Sequence, residues 1–170
     1  MRLGLLGGSF DPVHYGHLLL GECCRVACRL EQVWFLPAAQ PPHKVRPLGA
    51  SGPQRAEMLE MAVADHPAFH VCRLELERGG VSYTAETLAA IRSQVPSAEL
   101  FLLLGADMLA DLPTWREPRE ICRLATPVVA RRAGTPEPNF EPLTKLLPQP
   151  EVDRIRNHLV DMPPVGYSST

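Results

Sequence analysis

The sequence predicts an α/β fold, a doubly wound parallel sheet of five to six strands within a single domain. Short apolar runs of strand length alternate with helix-length segments along the 170 residues, which is typical of a parallel sheet covered by helices on both faces. The runs are apolar throughout, as strands buried on both faces are. The predicted architecture is therefore Rossmann-like, and ligands are expected beyond the carboxyl ends of its strands.

Six apolar segments are predicted as strands. The second, Gln-Val-Trp-Phe-Leu, is ended by Pro37, and the third is followed by the breakers Gly79 and Gly80. The fourth is very apolar and leads into Gly105. The strands are expected at residues 2–6, 32–36, 69–76, 99–104, 127–130 and 158–162.

Helical periodicity and start signals place the helices between these strands. Pro53 suits the first turn of one helix, and Ser82 or Thr84 can cap another that has Glu86 near its first turn. The helices are expected at residues 16–29, 53–66, 84–94 and 118–124, with a helical turn at 151–158. The long segment 37–53 is expected to be a functional loop, because loops of that length within a compact domain usually are.

Composition and charge exclude several classes of partner. A formal net charge of −2 gives no global attraction to nucleic acid or to an acidic membrane, so any phosphate site must be local. No apolar stretch reaches the length of a membrane span, and the first residues lack the pattern of a signal peptide. The five cysteines form no Cys-x-x-Cys pair and are interpreted as reduced thiols of a cytoplasmic protein.

The turn from residue 7 to residue 17 carries the main chemical signal. Gly7 and Gly8 let the backbone bend and approach a ligand closely, and the helix that follows aims unpaired N–H groups at the turn. This is a ready site for an anion such as phosphate. His14 and His17 are three residues apart and therefore share one face of the helix start. The alternative interpretation is a turn with two structural histidines.

Two later turns are expected to meet this one. Segments 37–44 and 105–115 also follow predicted strands, and turns that follow parallel strands converge at the same edge of the sheet. A His-x-x-His pair offers only two zinc ligands, and no third His or Cys lies nearby in sequence. The sequence therefore predicts no metal site built from side chains.

The segment Gly-Gly-Ser-Phe-Asp-Pro-Val-His-Tyr-Gly-His resembles the G-x-F-D-P-x-H-x-G-H signature of the nucleotidyltransferase superfamily, and within it the bacterial nicotinate mononucleotide adenylyltransferases. Four further segments match that family in order. They are Pro-Pro-His-Lys at 41–44, Ser-Tyr-Thr with Thr-Leu at 82–88, Gly-Ala-Asp with Thr-Trp at 105–115, and Tyr-Ser-Ser-Thr at 167–170. The last of them is expected to be the family's I-S-S-T-x-I-R cut short, with its C-terminal helix missing from the domain at 1–170.

The resemblance implies an adenylyl transfer. The phosphate of nicotinate mononucleotide would attack the α-phosphorus of ATP and give nicotinate adenine dinucleotide and pyrophosphate. A phosphate is already a nucleophile, so catalysis would consist of positioning and charge neutralisation. Mg²⁺ would be bound mainly through the ATP phosphates.

The same resemblance implies roles for particular residues. His14, His17 and Lys44 would be catalytic, with Lys44 as a phosphate clamp on its loop. ATP would be bound by Gly7, Gly8, Ser9, Phe10, His17, Gly105, Asp107, Ser168, Ser169 and Thr170. The acceptor would be bound by Ser9, Phe10, Lys44, Tyr83, Thr84, Trp115 and Arg132. Trp115 is expected to be exposed for stacking, because it lies between Pro113 and Arg116 in a polar loop.

Other functions stay open at this point. One alternative is a nucleotidyltransferase for another small acceptor, such as a phosphopantetheine adenylyltransferase. A second is a nucleotide-binding module without catalysis, and a more distant one is a redox protein on a flavodoxin-like sheet. The preference for nicotinate over nicotinamide mononucleotide and the formation of a homo-oligomer are left open as well.

Overall fold

A six-stranded, all-parallel sheet forms the centre of the computed structural model, which describes residues 1–42 and 47–163. The sheet order is β3-β2-β1-β4-β5-β6, so the chain winds outward in both directions from the central pair β1 and β4. This confirms the predicted doubly wound sheet. The strands are β1 Arg2–Gly8, β2 Gln32–Pro37, β3 Phe69–Val71, β4 Glu99–Gly105, β5 Thr126–Arg132 and β6 Leu159–Met162.

Helices cover both faces of the sheet. They are α1 Tyr15–Ala27, α2 Gly52–Val63, α3 Leu74–Arg78, α4 Thr84–Gln94, α5 Ala106–Asp111, α6 Pro118–Leu124, α7 Glu141–Thr144 and α8 Gln149–Arg156, with a 3₁₀ turn at Leu112–Thr114. None of the helices in the described part of the chain has both the length and the apolar character that crossing a bilayer requires.

Two apolar cores form because alternate residues of a strand point to opposite faces. Leu3 and Leu5 of β1 belong to the core under α4, α6 and α8. Leu6 of the same strand belongs to the opposite core, together with Cys24 of α1 and Leu59 of α2. Both faces of the sheet are therefore buried, which explains why its strands are apolar throughout.

The predicted third strand is wrong in its second half. It ends at Val71, and residues 74–78 form the short helix α3, in which Glu75 is buried. The alternating Leu-Glu-Leu-Glu pattern fits a strand, but leucine, glutamate and arginine all have good helix propensity. Over so few residues the periodicity cannot separate the two structures.

The segment after β4 is also more regular than the expected turn. Gly105 is followed at once by α5 and then by the 3₁₀ turn at Leu112–Thr114. These elements are too short to show a helical period in the sequence. They place Trp115 at the end of the 3₁₀ turn.

Candidate active site

The sheet brings three turns to one edge. Gly8 of β1 lies opposite Pro37 of β2 in the strand register, so the turns after these strands start at the same level. On the other side of β1, β4 ends with Gly105 at the same edge. The winding direction reverses between β1 and β4, which makes this edge the topological switch point. The predicted convergence of the three turns is confirmed for their described residues.

The turn after β1 is shaped by its glycines. A Cβ built on Gly7 would meet no described atom within 4 Å, so Gly7 leaves the space beyond the strand open. A Cβ on Gly8 would instead lie 3.1–3.3 Å from the ring of Phe10. That ring is buried and packs with Phe35 at a centroid distance of 6.0 Å. Phe10 can therefore face a ligand through its backbone, while Ser9 is half-buried beside it.

His14 and His17 lie together at the start of α1. His14 is the residue before the helix, and its backbone N–H donates to Nδ1 of His17 at 3.2 Å. The two imidazole rings stack with centroids 3.7 Å apart and planes inclined by 23°. Phe10 meets the His17 ring edge to face at 4.9 Å. The His17 ring is thus held on two sides, in one orientation.

Burial keeps both imidazoles neutral. Burial, and to a smaller extent the neighbouring His14, lowers the pKa of His17 from 6.5 to about 4. Burial also lowers the pKa of His14, against a smaller opposing effect of its backbone hydrogen bond. A neutral His17 that accepts at Nδ1 carries its proton on Nε2 and is a donor there.

The amino terminus of α1 adds positive partial charge at the same place. The helix is 13 residues long, and no acidic side chain lies in its first turn. Its first N–H groups and its dipole therefore favour a bound anion. Together with the Nε2–H of His17, this gives the turn the features that the sequence analysis expects of a phosphate site.

The end of β2 is joined to the start of α4 by Ser82. The Ser82 hydroxyl accepts the backbone N–H of Ala39 at 2.9 Å, and the Ser82 N–H donates to the carbonyl of Gln40 at 2.9 Å. The expectation that Ser82 or Thr84 caps α4 is wrong, because Tyr83 is the residue before the helix and its side chain makes no capping hydrogen bond. Ser82 instead brings Tyr83 and Thr84 to the switch-point edge.

Trp115 comes to the start of α4 through its neighbour Arg116. The Arg116 guanidinium lies 4.5 Å over the ring of Tyr83, and its Nη1 pairs with Glu86 at 3.1 Å. The indole is half-buried and packs against the core, rather than exposed as the polar loop suggested. Tyr83, Thr84 and Trp115, to which the family resemblance gives an acceptor-binding role, therefore lie in one region.

The residues assigned to ATP at the end of β4 are also close together. A Cβ on Gly105 would lie 2.6 Å from Oδ1 of Asp107, so this position requires glycine unless the carboxylate moves. Asp107 is exposed in the first turn of α5. Arg132 is exposed at the end of β5, the strand that pairs Ala130 with Gly105.

Sequence relatives identify the family. The sequence model of the cytidylyltransferase-like family matches residues 5–170. Curated nicotinate-nucleotide adenylyltransferases are similar over most of the chain. The enzyme of Synechococcus sp. is 39% identical, and the match covers 99% of this chain and 80% of the relative. The enzyme of Shouchella clausii is 38% identical, with 99% of this chain and 90% of the relative covered. The enzyme of Thermus thermophilus is 47% identical, with 80% of this chain and 72% of the relative covered. The chain belongs to the nicotinate-nucleotide adenylyltransferase family.

Solved structures share the fold of this family member. The nicotinic acid mononucleotide adenylyltransferase of Plasmodium falciparum, determined with NaAD, superposes with a TM-score of 0.73 at 15% identity and covers 97% of this chain and 77% of that one. A nicotinate-nucleotide adenylyltransferase structure from Vibrio parahaemolyticus gives a TM-score of 0.62 at 18% identity, over 77% and 74%. At these identities the likeness concerns the fold.

Several family-motif residues lie outside the described residues. They are His43, Lys44, Tyr167, Ser168, Ser169 and Thr170, and the roles assigned to Lys44 and to residues 168–170 stay predictions. Within residues 1–42 and 47–163, no group of three His, Cys, Asp or Glu side chains could hold a metal ion.

Asp11 is a motif residue with a clear structural task in this adenylyltransferase. Its two carboxylate oxygens accept the backbone N–H groups of Gly49 at 2.6 Å and of Ala50 at 3.0 Å. Asp11 therefore ties the end of the β2–α2 loop to the turn that carries the histidines. The sequence shows the aspartate in the motif but not this long-range contact.

Arg55 is the residue at this edge that sequence reasoning missed. It lies on α2 and is 1% exposed. The signal was present, because Arg55 precedes Leu59 by four residues and so lies on the apolar face of that helix. An arginine on an apolar helix face suggests a buried guanidinium with specific partners.

Proposed function

We propose that this chain transfers the adenylyl group of ATP to nicotinate mononucleotide, forming nicotinate adenine dinucleotide and pyrophosphate in NAD biosynthesis. The observation that carries the proposal is the neutral His14–His17 pair at the amino terminus of α1, beside the open space above Gly7. Membership of the nicotinate-nucleotide adenylyltransferase family supports the choice of substrates.

The chemistry needs no side-chain nucleophile. An oxygen of the mononucleotide phosphate forms a bond to the α-phosphorus of ATP, and the bond from that phosphorus to the β-phosphate oxygen breaks, so that pyrophosphate leaves. The attacking phosphate is already anionic, so no base has to remove a proton. The protein contributes the alignment of the two phosphates and the neutralisation of developing charge.

His17 and His14 act on the ATP phosphates. The Nε2–H of His17 is a preorganised donor, since its ring is held by the hydrogen bond from His14 and by the edge contact with Phe10. The first N–H groups of α1 bind the same anion. Gly7, Gly8 and the backbone of Ser9 and Phe10 line the approach.

Two further groups hold the rest of the substrates. Gly105 and Asp107 are proposed to hold the ribose and base of ATP, with Asp107, which is exposed, as a hydrogen-bond acceptor. Tyr83, Thr84 and Trp115 form the proposed acceptor region, in which the first N–H groups of α4, which the Tyr83 side chain does not cap, suit the nicotinate carboxylate. Lys44 and Arg132 are proposed for substrate phosphates, and residues 168–170 for ATP.

Mg²⁺ is proposed to enter with ATP. The described residues offer no cage of carboxylates, which suits a Mg²⁺ ion held mainly by phosphate oxygens and water. When bound, it supplies neutralisation of the triphosphate charge.

We propose the cytoplasm as the site of action. All five cysteines are free thiols, namely Cys23, Cys24, Cys28, Cys72 and Cys122. Burial raises the pKa of the Cys28 thiol and keeps it protonated. Protonated, unpaired thiols are typical of a reducing compartment.

The test is pyrophosphate release from ATP and Mg²⁺, with nicotinate mononucleotide, nicotinamide mononucleotide and phosphopantetheine as separate acceptors. Release with nicotinate mononucleotide supports the proposal. Release with phosphopantetheine alone would assign the chain to another small acceptor. ATP binding without release with any acceptor would make it a nucleotide-binding module.

A further inference from the structure

Arg55 is the largest of the fully buried side chains among the described residues. It projects from α2 into the region between the turns that follow β1 and β2. Its neighbours on the same helix face are apolar, including Ala56, Leu59 and Val63. A charged group in such surroundings is costly to bury unless it is well bonded.

The guanidinium bonds to one carbonyl from each turn. Nη1 donates to the carbonyl of Ser9 at 2.6 Å, and Nη2 donates to the carbonyl of Ala38 at 2.7 Å. Nε has no hydrogen-bond partner among the described residues, so within that part of the chain the guanidinium is held by these two hydrogen bonds. The planar, rigid guanidinium therefore bridges the two turns, next to the backbone hydrogen bond in which the Ala38 N–H donates to the Gly8 carbonyl at 2.9 Å.

The two turns lead to different halves of the proposed site. Ser9 precedes the histidines of the ATP site by five residues or more in the same turn. Ala38 is followed by Ala39 and Gln40, which Ser82 binds just before Tyr83 of the acceptor region. Arg55 thus adds a side-chain link between the ATP half and the acceptor half, one residue beyond Gly8 on the first turn.

The Asp11 carboxylate compensates part of the buried charge. Burial lowers the pKa of Arg55, and the nearby Asp11 opposes that effect. Asp11 in turn holds the N–H groups of Gly49 and Ala50. An apolar side chain would fill the same space at lower cost, so the arginine is suited to fixing geometry rather than to filling volume.

We propose that Arg55 is a positioning residue that fixes the ATP-binding turn against the acceptor-binding turn, so that the two phosphates meet in line. The inference rests on the proposed function. It requires that each half of the site binds its own substrate without Arg55 and that the alignment between them is what Arg55 supplies.

Arg55→Lys tests this role. Lysine keeps the positive charge near Asp11, but its ammonium is a single point and does not present the guanidinium fork to two separate carbonyls. We expect kcat to fall about a hundredfold, since a misplacement of about 1 Å can cost that much. The KM for ATP and the KM for nicotinate mononucleotide should each stay within about threefold of wild type, because uniform binding is retained.

Arg92→Lys is the matched control. Arg92 on α4 also donates to backbone carbonyls, those of Ala98 and Leu124, which precede β4 and β5 at the opposite edge of the sheet. Its loss should lower the unfolding temperature to a similar extent while leaving kcat unchanged. The comparison separates loss of stability from loss of alignment.

Each outcome decides between the two roles. If Arg55→Lys keeps the wild-type kcat, the positioning role is overturned. It is also overturned if the activity of both variants falls only in proportion to their folded fraction. If Arg55→Lys does not fold, Arg55→Gln carries the same test, and loss of the fold in both would assign Arg55 to stability alone. If the wild-type chain releases no pyrophosphate, the proposed function itself is overturned. If wild type is active and Arg55→Lys is equally active, only the role of Arg55 is overturned.

Discussion

The backbone N–H of His14 donates to Nδ1 of His17 at 3.2 Å, one turn along α1. Because Nδ1 is used as an acceptor, the neutral His17 ring carries its proton on Nε2. The low pKa of His17, about 4, keeps the ring in that neutral state at pH 7. The three-residue spacing of the two histidines therefore places both on one face of the helix start and also selects the tautomer of His17. In that tautomer Nε2–H is the donor.

The first prediction concerns this donor. His17→Ala should lower kcat by about two to three orders of magnitude, as the loss of one preorganised donor to a transition state does. Initial rates of pyrophosphate release at saturating ATP and nicotinate mononucleotide measure it. His17→Gln is the control, because its side-chain amide N–H can replace part of the hydrogen bonding of Nε2–H. Its kcat should lie between those of wild type and His17→Ala. An unchanged kcat in His17→Ala would remove His17 from the mechanism.

The second prediction is a loss of stability in acid. The pKa of His17 is lowered from 6.5 to about 4 on folding, so between these pH values the unfolded chain binds a proton that the folded chain does not. The free energy of unfolding should therefore fall as the pH decreases from about 6.5 to about 4 and should be insensitive to His17 above that window. Protonation also removes the Nδ1 acceptor for the His14 N–H.

Urea denaturation of wild type and His17→Gln at several pH values between 4 and 7.5 measures this effect. Wild type should lose more stability than the variant over the acid window, because the variant lacks the titrating ring. His14 is present in both proteins, but its ring stacks on His17 and helps to lower the pKa of His17, so the difference between the curves measures the contribution of the coupled pair. Parallel curves for the two proteins would mean that His17 titrates normally.

The third prediction concerns Trp115. Trp115→Ala should weaken the binding of nicotinate mononucleotide by about 1–3 kcal/mol, if the ring stacks on the indole as aromatic platforms do. The KM for ATP should change much less. Because the indole also packs against the core, Trp115→Phe serves as the control that keeps an aromatic ring with less disturbance. Equal losses for both substrates would exclude a stacking role.

Most of the sheet could be predicted because buried strands carry a strong apolar signal. The run at residues 3–6 and the Gly-Gly turn predicted β1 and α1 within a few residues of their ends. The apolar pattern did not predict the secondary structure correctly where the elements were short. Residues 74–76 were predicted as the end of the third strand and belong to helix α3, and α5 was predicted as a turn. In such segments packing decides the structure, and the sequence pattern does not.

The candidate site divides in the same way. The His14–His17 pair was visible because it is local, and the resemblance supplied the order of the other motifs. The contacts of Arg55 and Ser82 were not visible, since their partners are backbone atoms of Ser9, Ala38 and Ala39. Every residue has such atoms, so no residue type in the sequence marks the partner.

The last prediction separates structural from binding threonines in the motif at 82–88. Thr87 is 2% exposed, and its hydroxyl donates to Oε1 of Glu75 at 2.7 Å, with Glu75 itself 6% exposed. Thr87→Val keeps the shape but leaves the buried carboxylate without this donor. We expect the free energy of unfolding to fall by about 1.5–3 kcal/mol, the range for hydrogen bonds to charged groups.

Urea denaturation gives that free energy, and the kinetics should be unaffected in the folded protein. Ser93→Ala on the same helix is the control, because its exposed hydroxyl donates to the carbonyl of Ala89 within the same helix, and its removal should change stability by less than about 0.5 kcal/mol. A raised KM for nicotinate mononucleotide in Thr87→Val, at unchanged stability, would place Thr87 in the acceptor site instead. With the expected result, the acceptor role in this motif is confined to Tyr83 and Thr84, and Thr87 holds α4 against α3.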